Sequence, residues 1–354
     1  MKSNYDILGN HIRLVDYRNK GLITTQVLGI NIDKYFMPSV ANVIGTDLSR
    51  YKVLSKGKFA CNPMHVGRDE RLPVALYSED KPAIVSPAYF VFEIVDTSLL
   101  NEYYLMMWFR RPEFDRTCWL KTDGSVRGGI SWDDICRLEL PVPPIEKQLE
   151  IVNRYKAITD RIALKQKIND NLDAQAEAIY KDIFVINPSP DWATGTLKDL
   201  LTVKYGKDHK QLADGNIPLY GSGGIMRYVE RALYEKESVL VPRKGSLNNV
   251  LYVNKPFWSV DTMFYTEMKH DNVAKYVYYY IREKDLAGMD TGSAVPSMSA
   301  EIIHSMQLFI PDNNTLDRFE RILKPIFLYV ETNTCEIEYL KALSQNMLTI
   351  LSSR

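Results

Sequence analysis

Two stretches of the chain carry the same succession of residue types. The first runs Asp123-Gly124-Ser125-Val126, then Ile130-Ser131-Trp132-Asp133-Asp134-Ile135, then Leu138-Glu139-Leu140-Pro141-Val142-Pro143. The second runs Thr291-Gly292-Ser293-Ala294, then Met298-Ser299-Ala300-Glu301-Ile302-Ile303, then Met306-Gln307-Leu308-Phe309-Ile310-Pro311. Gly124 to Gly292, Ser131 to Ser299 and Pro143 to Pro311 all give an offset of 168. Upstream the match persists with drift. Residues 104–110 match 276–282 at an offset of 172, both aromatic-rich and ending in arginine. Lys81-Pro82 matches Lys255-Pro256 at 174, each preceded by Leu-Tyr (Leu76-Tyr77, Leu251-Tyr252). A drifting offset is what two copies of one unit with small loop insertions produce. Whatever fold one copy adopts, the other must adopt too.

Each copy ends in proline and enters a long helical pattern. After Pro143-Pro144 the apolar residues are Ile145, Leu149, Val152, Tyr155, Ile158, Ile162, Ile168, Leu172, Ala176, Ile179 and Ile183. Spacings of mostly three or four describe one face of a helix or a coiled-coil seam, with Lys165 in the gap. Roughly 40 residues at ~1.5 Å each make a rod of about 60 Å. Asn187-Pro188-Ser189-Pro190 stops it. The second pattern begins near Thr315 and places Phe319, Ile322, Ile326, Val330, Ile337, Leu340, Leu343, Met347 and Ile350 on one stripe. Asn333 fills one seam position, where a buried polar residue can fix register. Pro325 predicts a kink or a late start. A lone helix with one apolar stripe is unstable in water, and the other helix is the simplest cover. Leu149, Val152, Ile162, Ile168, Leu172 and Ile179 are expected to pack against Phe319, Ile326, Val330, Ile337, Leu340 and Met347. The expected fold is α+β, with two repeated globular domains separated by two long helices that pair as an antiparallel coiled coil. The expected boundaries are 1–143, 144–186, 187–312 and 313–354.

Composition narrows the function. The chain has 354 residues, 45% hydrophobic and 25% charged, which excludes disordered and collagen-like classes. Lys+Arg and Asp+Glu both number 44. Across the four segments the balances are 18−17, 7−7, 14−15 and 5−5, so neutrality holds everywhere. Nucleic-acid-binding domains are usually basic, so any such role must come from local arrangement. The longest compact apolar run, Tyr103-Tyr104-Leu105-Met106-Met107-Trp108-Phe109, is far short of the roughly 20 residues that span a bilayer. Met1 to Asn10 lack the apolar core of a secretory signal. Cys61, Cys118, Cys136 and Cys335 show no metal-ligand or redox spacing, and the five histidines (His11, His65, His209, His270, His304) are scattered. A cytoplasmic protein without metal or membrane association is expected.

Two motifs suggest chemistry and fall short of it. Asn62-Pro63-Met64-His65 resembles the Asn-Pro-Pro-aromatic motif of amino-methyltransferases, but its third and fourth positions differ and no glycine-rich cofactor loop accompanies it. A strand or turn element is expected there. Tyr220-Gly221-Ser222-Gly223-Gly224 lacks the lysine and helix of a phosphate-binding loop, and a tight turn is expected. Arg243-Lys244-Gly245-Ser246-Leu247-Asn248-Asn249 lies between strand-like 238–242 and 250–254. It reads either as a solvated hairpin loop or as a DNA-contacting loop, with Arg and Lys on phosphate or guanine and Asn on adenine. In the first copy the corresponding region is 62–71. The candidate DNA contacts are His65, Arg68, Arg71, Lys121, Ser125 and Arg127 in the first copy. In the second they are Lys207, Lys210, Ser222, Arg227, Arg243, Lys244, Ser246, Asn248, Asn249 and Ser293. The sequence shows no nucleophile–base pair and no carboxylate cluster, so no catalytic residue is assigned.

Two globular units alternating with two long helices resemble the specificity (S) subunit of Type I restriction–modification systems. In the first half the resemblance rests on Lys58-Phe59-Ala60-Cys61-Asn62-Pro63-Met64, Ile84-Val85-Ser86-Pro87-Ala88-Tyr89 and the junction Leu140-Pro141-Val142-Pro143-Pro144-Ile145-Glu146-Lys147-Gln148. In the second it rests on Ile217-Pro218-Leu219-Tyr220-Gly221-Ser222-Gly223-Gly224-Ile225, Val239-Leu240-Val241-Pro242-Arg243-Lys244-Gly245-Ser246 and Pro256-Phe257-Trp258-Ser259-Val260-Asp261-Thr262. The second junction, Pro311-Asp312-Asn313-Asn314-Thr315, departs from the family pattern, as does Pro325. The resemblance implies two target-recognition domains, each reading one part of a split asymmetric site in double-stranded DNA. It implies helices that set the unread gap and dock two modification subunits. Those subunits methylate adenine at N6 with S-adenosylmethionine, and restriction subunits can join to cleave DNA with ATP and Mg. The S subunit itself is implied to be non-catalytic and to bind no cofactor. A different class, a helical adaptor whose globular domains bind proteins or peptides, is also compatible with neutral charge. An autonomous methyltransferase or nuclease requires a cofactor loop or metal-binding carboxylates that the sequence lacks.

Overall fold

The computed structural model describes residues 5–40, 45–122, 128–289 and 297–351. Backbone contacts divide the chain into two compact units, residues 1–165 with 335–354, and residues 166–334. Each unit contains a stretch of both long helices.

In the first unit, strands Ile12–Leu14, Phe90–Ile94, Phe59–Cys61 and Val74–Leu76 form an antiparallel sheet in that order. All three residues of Phe59–Cys61 are buried because both faces of this central strand are covered. Phe59 and Cys61 face one core with Phe92 and Val74, and Ala60 faces another with Ala75 and Val91. The helix Glu102–Phe109 follows, started by Asn101, whose side chain accepts from the backbone of Tyr103 and Tyr104. Its residues 104–109 are all buried, as expected for a helix apolar on every side. Strand Tyr5–Ile7 pairs with Glu139–Pro141 to close the unit. Two further antiparallel pairs complete the unit, the hairpin Leu28–Ile30 with Phe36–Pro38 and the longer-range pair Lys52–Leu54 with Ala83–Val85.

The second unit repeats this order. Its sheet runs Leu201–Tyr205, Met263–Met268, Ser238–Pro242, Leu251–Val253, again antiparallel. Ala193–Thr196 pairs with Gln307–Ile310 as the closing ribbon, and Ala274–Arg282 is the matching helix. The short helices Trp132–Cys136 and Ala300–Ser305 are both capped by serine, Ser131 and Ser299. Side chains confirm the equivalence. The hydroxyl of Tyr104 donates to the carbonyl of Pro141 at 3.2 Å, and that of Tyr276 to the carbonyl of Phe309 at 2.7 Å. The fold class expected from the sequence is the one observed. A further three-stranded sheet, Gly224–Val229, Asp214–Gly221 and Trp258–Ser259, occurs in the second unit.

The central helix runs Ile145–Tyr180, about 54 Å at ~1.5 Å per residue, and continues as a wider π-helical segment Lys181–Ile186. The distal helix runs Asn313–Ile350 without interruption, with Pro325 inside it. The late start allowed for at Pro325 gives way to a start twelve residues earlier, because Asp312 supplies the cap. Asp312 accepts from the Thr315 backbone at 3.0 Å, the Thr315 hydroxyl at 2.8 Å and Trp192 Nε1 at 3.1 Å. Its carboxyl is held below the usual range, first by the Thr315 hydroxyl. Pro325 itself is exposed, where a lost hydrogen bond costs least.

Within each unit the two helices pair antiparallel. In the first, Val152 shares a core with Leu348, while Glu336 accepts from Arg161 at 2.5 Å and Lys165 at 2.8 Å. In the second, Phe184 packs edge-on against Phe319 at 4.9 Å, and Asn333 donates to Asn169 at 2.9 Å. Val152, Phe319, Ile337 and Leu340 are buried, while Ile162, Ile168, Leu172, Ile179, Ile326, Val330 and Met347 are half-buried. Leu149, placed on the seam by periodicity, is instead 42% exposed. The buried residue of that turn is Gln148. It accepts from Asn101 N at 2.9 Å and donates to Leu99 O at 2.8 Å and Pro143 O at 2.7 Å, anchoring the helix to its globular unit. Among the described residues no helix is long and apolar enough to cross a membrane.

Candidate nucleic-acid interface

In the second unit, the loop 243–249 and the turn after Gly221 are brought together. Gly221 pairs with Gly224, so Ser222-Gly223 is a two-residue hairpin turn, and Gly224 has φ +110°. The loop that follows Ser238–Pro242 reverses at Gly245, whose φ is +85°. That positive φ favours glycine, and a Cβ on Gly245 would also meet Ser222 Oγ at 2.7 Å, which places loop and turn side by side. Asn249 Nδ2 donates to the Ser222 carbonyl at 2.8 Å and locks loop to turn.

Arg243 is held rather than free. Its backbone N–H donates to Thr262 O at 2.8 Å, its Nη1 to Asp261 O at 3.3 Å, and its guanidinium lies 5.4 Å from the Tyr205 ring. Tyr205 is 53% exposed and packs edge-on against Phe264. Lys207 follows two residues later, anchored through its carbonyl, which accepts from Trp258 Nε1 at 3.1 Å. Lys244, Ser246, Lys207 and Lys210 are exposed, so these side chains reach solvent together with Arg243. Asp208 lies between the two lysines. Its carboxyl is held below the usual range, first by the Lys210 backbone N–H, so it stays ionised and offsets part of their charge.

Three candidates are engaged in structure instead. Asn248 bridges Asp285 at 3.3 Å and Ala287 N at 3.0 Å. Asn249 is committed to Ser222. Arg227 pins the segment leading into the neighbouring strand Asp214–Gly221, donating to Asp214 at 2.9 Å and to the carbonyls of His209 at 2.8 Å and Leu212 at 3.0 Å. Tyr205 and Asp261 were absent from the sequence-derived set. A single exposed aromatic at the end of a strand has no sequence signature, because its importance arises from Arg243 stacking on it.

Residues 190–342 match the family described as "Type I restriction modification DNA specificity domain". This chain resembles a Type I specificity subunit. A curated relative, the Type I restriction enzyme MjaIX specificity subunit of Methanocaldococcus jannaschii, is 21% identical over 268 residues. That alignment covers 64% of this chain and 62% of the relative, less than two thirds of its length. The crystal structure of the Type I restriction–modification S subunit from M. genitalium superposes with a TM-score of 0.65 at 15% identity, covering 99% of this chain and 96% of that one. At that identity the likeness is one of fold.

In the first unit, two of the corresponding candidates, Arg68 and Arg71, are tied to acids. Asn62 caps a turn, Pro63–His65, by accepting from Met64 N at 3.2 Å, so the methyltransferase-like motif is a helix-starting turn. His65 lies in that turn. Arg68 is exposed and forks onto Asp69 at 2.7 and 2.9 Å, and Arg71 reaches Asp33 at 3.3 Å. Lys121 is exposed at the end of helix Pro112–Leu120, distant in sequence from that group. Ser125, Arg127 and Ser293 lie outside the described residues. Among the described residues, no group of His, Cys, Asp or Glu is placed to hold a metal ion.

Proposed function

We propose that the chain is the DNA-specificity subunit of a Type I restriction–modification complex. Each unit reads one part of a split, asymmetric site in double-stranded DNA. The observation that carries this reading is the duplicated unit, with one sheet order twice, joined by two long paired helices and matching the specificity-domain family in its second copy. The chain divides functionally into recognition domains 1–143 and 187–312 and spacer helices 144–186 and 313–354. The helices dock two modification subunits, which carry S-adenosylmethionine and methylate adenine at N6. Restriction subunits supply ATP- and Mg-dependent cleavage. This chain contributes no catalytic residue, binds no cofactor and works in the cytoplasm.

Arg243 and Lys244 are the residues that read or anchor DNA in the second domain, with Lys207, Lys210, Ser222 and Ser246 beside them. Because phosphate contacts dominate affinity and this chain is neutral, the isolated subunit binds DNA weakly and with strong salt dependence. The test is methylation-aware sequencing of a host expressing the chain with its modification subunit. A split N6-methyladenine motif is expected, and Lys244→Ala should relax one half of it only. Equal loss at both halves would refute the role of the loop, and methylation with no split motif would refute the reading.

The ion pairs Arg68–Asp69, Arg71–Asp33 and Arg227–Asp214 favour a second reading, a helical adaptor whose units bind proteins. A gel shift with the modification subunit and a random DNA library separates the two.

A further inference from the structure

The repeat makes Arg110 and Arg282 counterparts, and their surroundings differ. Tyr104 and Tyr276 donate to the same position of the closing ribbon, and each arginine follows its tyrosine by six residues. In the second unit Arg282 is clamped on a helix. Its Nη1 and Nη2 donate to the two oxygens of Asp173 at 2.7 and 2.6 Å, and Glu177 stands 3.9 Å away. This is a bidentate carboxylate–guanidinium fork, supported by Tyr278 at 3.1 Å.

Arg110 has no such fork among the described residues. Its Nε is buried without a hydrogen-bond partner there, and its guanidinium lies 5.0 Å from the Tyr35 ring. It opens on a cleft of about 800 Å³ that Arg71, Arg116 and Trp119 also line. The long-helix residues on that wall, Tyr155, Gln345 and Leu348, carry no charge. Asp160 of the central helix lines an adjoining cleft that Arg110 also borders, where it accepts from Lys156 at 2.6 Å. On the wall of this cleft, among the described residues, no helix carboxylate stands where Asp173 stands for Arg282. Three of the four acids within the cleft are already engaged. Asp115 accepts from Lys34 at 2.7 Å and Leu72 N at 3.0 Å, Asp33 from Arg71, and Asp69 from Arg68. The lining holds Lys34, Arg71, Arg110 and Arg116 against Asp33, Asp69, Glu70 and Asp115. A balanced wall does not draw a polyanion such as DNA, whose binding needs accumulated positive charge. It suits one carboxylate arriving at short range.

We propose that the Arg110 cleft is a socket for a single side-chain carboxylate, presented on a helix of a partner protein as Asp173 is presented to Arg282. Under the proposed function, on which this rests, that partner is a modification subunit. The socket makes the first unit dependent on a partner for a contact that the second unit makes internally. Two modification subunits are therefore held with unequal chemistry.

The test uses the full chain with its modification subunit, read by stoichiometry in native mass spectrometry and by titration calorimetry. Arg110→Gln should weaken one of the two binding events by about tenfold, the scale of a charge-assisted hydrogen bond. Arg110→Lys should recover only part, since ammonium lacks the fork. Neutralising each exposed helical Asp or Glu of the partner in turn leaves this chain intact. One of those variants should reproduce the loss and show no further loss with Arg110→Gln. Two unchanged binding events in Arg110→Gln, or no sensitive acid in the partner, would overturn the socket while leaving the proposed function standing. A wild-type chain that binds no modification subunit would overturn both.

Discussion

The backbone N–H of Val203 donates to Nε2 of His304 at 3.0 Å, so that nitrogen must be unprotonated in the folded chain. Burial, and then the nearby Lys198, push the imidazole below its ordinary value of 6.5. A group with a depressed folded pKa contributes stability that is present above its unfolded pKa and lost as pH falls through the folded one. Acidification below pH 6.5 should therefore destabilise the second unit. His304→Gln keeps an acceptor and removes the titration, so its thermal midpoint should fall less than that of the wild type over the same range. Parallel curves would refute the role. Glu336 gives the carboxylate version in the first unit. Lys165, its largest influence, and Arg161 hold it below the usual range, so its contribution is lost only in stronger acid. Neither role was legible in the sequence. His304 was one of five scattered histidines, and its partner lies 101 positions away. Gln148 was missed for a related reason, since hydrophobic periodicity passes over a buried amide satisfied by three backbone groups.

The long helices were the most legible elements, because an apolar stripe sustained at spacings of three and four over roughly 40 residues fits a helix and neither a strand nor a loop. Asn333, noted as a polar residue on the stripe, is fully buried and bonded to Asn169. Asn333→Leu should cost roughly 1–3 kcal/mol by taking the donor from the side-chain carbonyl oxygen of Asn169. The double change of both asparagines to leucine should recover much of that loss while weakening control of register. Denaturation of single and double variants measures this, and additive losses would refute the pair. Pro325 stands exposed within the distal helix, and Pro325→Ala should raise stability by up to about 3 kcal/mol. Denaturant midpoints check it, and an unchanged midpoint would mean that Pro325 has no net cost in this helix. The start of that helix, expected near Thr315, lies at Asn313; what the sequence did not show is its cap, Asp312, which belongs to an atypical junction.

Two units share one sheet order, and each contains part of both helices. If helix length sets the unread gap between half-sites, deleting one heptad from 144–186 should change the gap in the methylated motif or abolish assembly. An assembled complex with an unchanged gap would refute that idea. Segment neutrality fits the residues found at the candidate interface, where Arg68, Arg71 and Arg227 each have an acid partner. The sequence alone determined the duplication, the helical stripes and the family resemblance. These are periodic or consecutive patterns, written locally along the chain. Only the tertiary structure decided which candidates are engaged and which reach solvent. It also revealed Tyr205 beneath Arg243 and an Arg110 without the carboxylate fork of Arg282 among the described residues. Those depend on which side chains meet across long sequence separations, and no local spacing encodes such meetings.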